Sequence, residues 1–256
     1  MFDKILRYVE SVEKEAIPQL SVNCVILGFH EKALHVVVNR ISLDSVHLMV
    51  LPGGYVYQKE DLVVAMERIV KESTGLEKIL FKQFAVFGKA SRSFNREFTK
   101  SRVFKSKADK GVLDWFSKRF VSVCYLALVD YSKIELRPTQ FMDGAQWLPV
   151  NKLKELAMDH SDIVKSACES LRKEMPYTPI ASNLLPSKFT LPELQALVES
   201  ILGRQIDRPN FRRKILKTGM ITKIGSDTSN KRRPADLYAF KHGRKTSLIE
   251  EYRFGF

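Results

Sequence analysis

The stretch Leu51–Leu76, LPGGYVYQKEDLVVAMERIVKESTGL, restricts the possible fold more than any other part of the chain. It runs from a Leu-Pro-Gly-Gly turn through a polar loop into an amphipathic helix. The helix is predicted because Leu62, Ala65, Ile69 and Val70 recur at helical spacing. Asp61 is placed to cap its start and Gly75 to stop it. Glu60 and Arg68 can pair and hold the loop against the helix, a structural role that needs no chemistry.

The segments around this unit read mainly as strands. Residues 21–40, SVNCVILGFHEKALHVVVNR, give two aliphatic, β-branched strands with HEK as the turn between them. ILFKQFAVFG and RFVSVCYLALVDY are two more, and AQWLPVNKLKEL is a last strand entering a short helix. Ser161 to Glu174 forms a second helix, ended by Pro176. This order predicts a mixed α/β domain over residues 21–176. Before it, residues 1–20 form an amphipathic helix, with Phe2, Ile5, Leu6, Val9 and Val12 at helical spacing. We expect it to pack on the fold, not on a membrane. No apolar run reaches the roughly 18 residues a span needs, and the start has no continuous apolar segment of signal-peptide type. Cys24, Cys124 and Cys168 show no metal-ligand spacing and read as buried thiols in a reducing cytoplasm.

The net charge of +13 suggests a polyanionic partner. Its distribution is informative. Residues 183–256 carry 15 Lys/Arg against 7 Asp/Glu, and residues 89–119 carry 10 against 3, which leaves −2 for the rest. The second block lies in a long insertion, about residues 89–118, rich in aromatics. It reads either as a solvated segment or as a flap that contacts phosphate or covers an effector. MPYTPIASNLLPS has three prolines and marks an interdomain linker, residues 177–186.

Beyond the linker, residues 187–243 follow a different pattern. Thr190 and Glu193 form a capping box for a helix whose apolar face is Leu194, Leu197, Val198 and Ile201, ended by Gly203. Asp207 caps a second helix, with Phe211, Ile215 and Leu216 inward and Gly219 as its stop. Arg208, Asn210, Arg212, Arg213, Lys214 and Lys217 occupy or border its other faces. Two short helices joined by a tight turn fit a helix-turn-helix. Arg can bind guanine at two points and Asn adenine, while Lys and Arg attract phosphate regardless of sequence. A strand, a polar loop with Lys231, Arg232 and Arg233, and another strand then make the expected wing. A basic tail, residues 244–256, follows.

Residues 53–76 resemble the Nudix box, G-x5-E-x7-R-E-U-x-E-E-x-G-U, where U is aliphatic. Gly54, Glu60, Arg68, Val70, Glu72, Gly75 and Leu76 match in register, while Ile69 and Ser73 stand where the family has glutamates. Positions 69, 72 and 73 share one helix face and would converge on a divalent metal, which wants several oxygen ligands and activates the attacking water. Of that trio this chain keeps only Glu72.

With NLLPSKFTLPELQALVESILGRQIDRPNFRRKIL and RRPADLYAF behind it, the chain resembles the Nudix-related transcriptional regulators. RFVSVCYLALV and MDHSDIV also look like family segments. The resemblance implies an α+β protein: a Nudix-like α/β/α sandwich with a mixed sheet, then a winged helix-turn-helix. It implies a non-catalytic, dimeric bacterial regulator, usually a repressor, that needs no cofactor or metal and binds double-stranded DNA at inverted-repeat operators. Its effector would be an ADP-ribose-type nucleotide or a sugar. Pocket residues carried over are Arg40, Gly53, Gly54, Glu72, Arg119 and Tyr125. The insertion, the extended N-terminal helix and the tail depart from the family pattern. Two rival readings remain: an active hydrolase of a nucleoside diphosphate derivative with a nucleic-acid-binding tail, and a sequence-blind nucleic-acid binder.

Overall fold

A computed structural model describes residues 2–43, 46–75, 77, 79, 81–93, 110–137, 142–174, 183–227 and 235–241. Leu76, the middle of the basic insertion, most of the linker, the wing loop with Lys231, Arg232 and Arg233, and the tail lie outside the described residues.

The N-terminal helix α1 (Phe2–Glu15) is shorter than the sequence suggested. It stops where Ala16 begins to pair with Tyr57, because β1 (Ala16–His30) extends further back than residue 21. That early part of β1 is irregular, with Gln19 at a φ of 60° and a shift of register between Ala16 and Ser21. β2 (Ala33–Leu43) returns through Glu31 and Lys32, both in the left-handed region at φ 46° and 62°. Positive φ at both central residues matches the twist of a two-residue hairpin.

β3 (Val46–Val50) and β4 (Gly53–Tyr57) lead to α2 (Leu62–Thr74). β5 (Phe81–Phe87), α3 (Lys110–Ser117), β6 (Val121–Leu128) and β7 (Gly144–Pro149) follow, then α4 (His160–Glu174). One seven-stranded sheet runs β3-β2-β1-β6-β5, with β4 also on β1 and β7 also on β2. Its β1–β6 pair is parallel and its other pairs antiparallel, so the sheet is mixed. Alternation along the strands sends side chains to opposite faces. Val22, Cys24, Ile26, Val123 and Tyr125 pack with Ala65, Met66, Ile69 and Val70 of α2. Val25, Leu27, Val36, Val38 and Leu126 pack with Ile163, Val164, Ala167 and Leu171 of α4. This is an α/β/α sandwich.

The C-terminal domain has α5 (Leu191–Leu202), α6 (Arg208–Lys217), and a small sheet of β8 (Phe189–Thr190), β10 (Ala235–Phe240) and β9 (Ile221–Asp227). It is a winged helix. β8 is too short to stand out in the sequence. The α4-side core continues without a break into this domain through Leu194, Leu197, Ile201, Phe211 and Tyr238. α5 lies against β2, where the Leu34 amide donates to Ser200 Oγ at 2.9 Å. Among the described residues no helix is long and apolar enough to cross a membrane.

Candidate effector site and nucleic-acid interface

The loop before α2 is fixed by one ion pair. Arg68 Nη2 lies 2.6 Å from Glu60 Oε1, and Arg68 Nε donates to Glu60 Oε2 at 3.2 Å. The same guanidinium donates to the Tyr55 carbonyl and covers the Tyr57 ring at 4.5 Å. Glu60 accepts from the Tyr57 amide at 2.8 Å, closing the loop. Asp61 has the extended backbone of a cap but makes no side-chain cap bond, and Gly75 ends the helix at a φ of 70°.

Ile69 and Ser73 both turn inward. Ile69 is buried, and its Cδ1 would lie 3.1 Å from a Cβ added at Gly54, so a side chain there would press on Ile69. Ser73 is buried and donates to the Ile69 carbonyl at 2.8 Å. Glu72 is half-buried and sits 3.8 Å from Arg68. Burial pushes its carboxyl above the usual range, Arg68 opposes that, and Glu60 adds to it. One carboxylate already facing an arginine, one hydrocarbon and one internally bonded hydroxyl do not make a hard-cation site.

Of the other predicted pocket residues, Gly54 and Tyr125 lie on the side of the sheet that faces α2, the helix that carries Glu72. Gly53 opens β4 directly over Asn23, whose amide nitrogen lies where a Cβ would stand. Tyr125 is on the α2 side of the sheet, buried against Phe81 at 5.6 Å, and burial raises its phenol. Arg40 is exposed beside Gly144. Arg119 is exposed and donates to the Gly88 carbonyl at 2.6 Å.

Sequence reasoning missed a polar network next to Gly53. Arg92, at the root of the insertion, is buried and donates through Nε to both oxygens of Asp159, at 3.0 and 2.9 Å. It also donates to the Phe120 carbonyl at 3.0 Å and to Asn23 Oδ1 at 3.5 Å. Ser122 donates to the same Asn23 oxygen at 2.6 Å. Nearby, Tyr55 accepts from Trp115 Nε1 at 2.9 Å and packs on Phe120. Tyr8, Val9 and Val12 of α1 complete this aromatic group. The predicted Nudix turn therefore adjoins a buried cluster built by α1, α3 and the insertion root. The only signal in the sequence was aromatic residues inside a basic segment.

In the winged helix both predicted caps form. Thr190 and Glu193 make the complete capping box, and Asp207 accepts from the Asn210 amide at 2.9 Å. Phe211 and Ile215 face the core. Leu216, expected inward, is instead 42% exposed, because it lies on the ridge opposite Phe211. Arg208, Arg212, Arg213 and Lys217 are exposed, while Asn210 and Lys214 are half-buried. Arg213 donates to Asn210 at 3.1 Å, which holds both side chains on the helix surface.

A family model described as the NUDIX domain matches residues 17–167, and one for the NrtR DNA-binding winged helix domain matches residues 181–240. The ADPR responsive transcriptional repressor NtrR of Acinetobacter baylyi is 27% identical over 244 residues, which covers 93% of this chain and 86% of that protein. The crystal structure of Shewanella oneidensis NrtR complexed with a 27mer DNA superposes with a TM-score of 0.65 at 26% identity, covering 87% of this chain and 94% of that one. A MutT/nudix family protein from Enterococcus faecalis shares the fold, with a TM-score of 0.61 at 19% identity over 92% of this chain and 93% of its own.

Proposed function

The chain belongs to the Nudix domain family, and from that premise we propose that it is a sequence-specific transcriptional repressor whose Nudix domain senses a small molecule instead of hydrolysing one. The observation that carries this reading is the exposed, capped, cationic α6, set on a module that shares its core with the Nudix sheet. Arg208, Asn210, Arg212, Arg213, Lys214 and Lys217 would meet DNA, with Lys231, Arg232 and Arg233 of the wing. The repressor would act as a homodimer on an inverted repeat in the bacterial cytoplasm. Buried free thiols at Cys24, Cys124 and Cys168 suit that reducing compartment.

Kinship with an ADPR responsive repressor favours an ADP-ribose-type nucleotide as effector. A free pentose is the alternative class, since a sugar needs no metal. The proposed effector-facing residues are Arg40, Gly53, Gly54, Glu72, Arg119 and Tyr125. Ile69 and Ser73, standing where metal-binding carboxylates would be needed, support a non-catalytic role. Two half-sites must be met at once, so the spacing of the recognition helices sets affinity. An effector that favours one dimer arrangement changes occupancy by its differential affinity for the two arrangements.

The test is selection of duplexes from a randomised pool by the full chain at near-physiological salt. An enriched inverted repeat, released by ADP-ribose or by a pentose, is the expected result. Binding that is steeply salt-dependent without sequence preference would replace this reading with a sequence-blind one. Mg²⁺-dependent turnover of a nucleoside diphosphate derivative, abolished in Glu72→Gln, would overturn the non-catalytic part.

A further inference from the structure

The exposure of Leu216 has a meaning for DNA recognition. Phe211 and Ile215 hold one side of α6 in the core. Residues three and four apart share a helix face, so Leu216 lies in one ridge with Arg212 and Arg213 on the outward side. A lone exposed leucine on an ordinary surface needs no partner. This one stands among four exposed cations, Arg208, Arg212, Arg213 and Lys217, which would draw a polyanion against the ridge. In the major groove the apolar group on the base edges is the 5-methyl of thymine, and the other edge groups are hydrogen-bonding atoms that a leucine would leave unpaired.

We propose that Leu216 reads a thymine methyl and is a specificity-determining residue of the operator. This rests on the DNA-binding reading above and adds a base identity to it. α6 has ten residues, about 15 Å at 1.5 Å per residue, so a helix laid along the groove carries its third turn past the base pairs beyond those met by its first. The step from Arg212 to Leu216 is about 6 Å along the axis. That is close to two base-pair steps of about 3.4 Å, so the thymine falls one or two positions from the base met by Arg212.

The experiment uses the full chain and the duplex enriched from the random pool. Each thymine is replaced in turn by deoxyuridine, which lacks only the methyl, in both half-sites. Affinity is measured for the wild type and for Leu216→Ala. One thymine per half-site should cost the wild type about fourfold for each methyl lost, about sixteenfold with both half-sites substituted, the worth of roughly one buried CH₂ at each. Leu216→Ala should lose affinity for the thymine duplex and be insensitive to the methyl at that position. A variant that keeps every wild-type uracil penalty, or binds the thymine duplex as the wild type does, overturns the assignment and leaves the regulator reading intact. No DNA retention by the wild type, with or without ADP-ribose, overturns both.

Discussion

Arg92 places a permanent cation inside the fold, with its side chain 3% exposed against 13% for Asp159. Such a pair is not a large net source of stability, but breaking it strands the remaining charge. Asp159→Ala should therefore cost about 3–5 kcal/mol, read as a lower urea midpoint with an unchanged slope. A near-neutral result would mean that water or another acceptor reaches the guanidinium. The neighbouring His160 is also buried, and its Nδ1 accepts from the Leu51 amide at 3.0 Å. Burial, aided by Arg92, pushes its pKa down from 6.5 to about 3. The unfolded chain binds this proton throughout that window and the folded chain does not. Stability contributed by the neutral ring is present above pH 6.5 and falls as pH drops towards 3, by up to about 1.4 kcal/mol per unit. His160→Gln should flatten the stability profile between pH 4 and 6, and an unchanged slope would assign the acid sensitivity to other groups. None of this was legible in the sequence. Arg92 and Asp159 are 67 positions apart, and nothing local to either residue marks it as buried.

At the scale of single elements the sequence was far more readable, because caps and amphipathic spacing are local. The helices α2, α5 and α6 start and stop at residues whose chemistry is written within a few positions. Where the outcome depended on a distant partner, the reading slipped. The start of β1 is set by pairing with β4, β8 exists only because β10 lies beside it, and Leu216 faces outward although it is apolar. Gly54 and Tyr125, far apart in the chain, come to the α2 layer only through the pairing of β4 and β6 with β1. Thr190 tests how much the local signals weigh. Its hydroxyl accepts from the Glu193 amide, and Glu193 Oε2 accepts from the Thr190 amide at 2.7 Å. Thr190→Ala should cost about 1 kcal/mol, measured by urea unfolding. If the loss were nearer 3 kcal/mol, the pairing of β8 with β10 would be failing as well as the cap.

Across the whole molecule, the continuity of the core between the two domains matters more than either domain alone. α5 belongs to the winged helix, yet its Ser200 accepts from the β2 amide of Leu34, and Arg172 of α4 donates through Nε to the Ile201 carbonyl at 2.7 Å. Domains joined by a small polar interface unfold separately, whereas a shared apolar core couples them. The chain should therefore unfold in one cooperative transition. Its two tryptophans, Trp115 and Trp147, both sit in the Nudix domain, so fluorescence follows that domain. Amide exchange in α6 follows the other. The two should give the same midpoint and the same free energy. The coupling also gives the proposed effector, ADP-ribose, a test that does not depend on DNA. A ligand that binds only the folded state stabilises it by about 2.7 kcal/mol at a hundredfold excess over its Kd. If the core is one unit, that gain appears equally in the tryptophan transition and in α6 protection, although α6 is far from Gly53 along the chain. A gain confined to fluorescence would show that the winged helix opens independently. The proposed effector would then have to act through the proposed dimer arrangement alone.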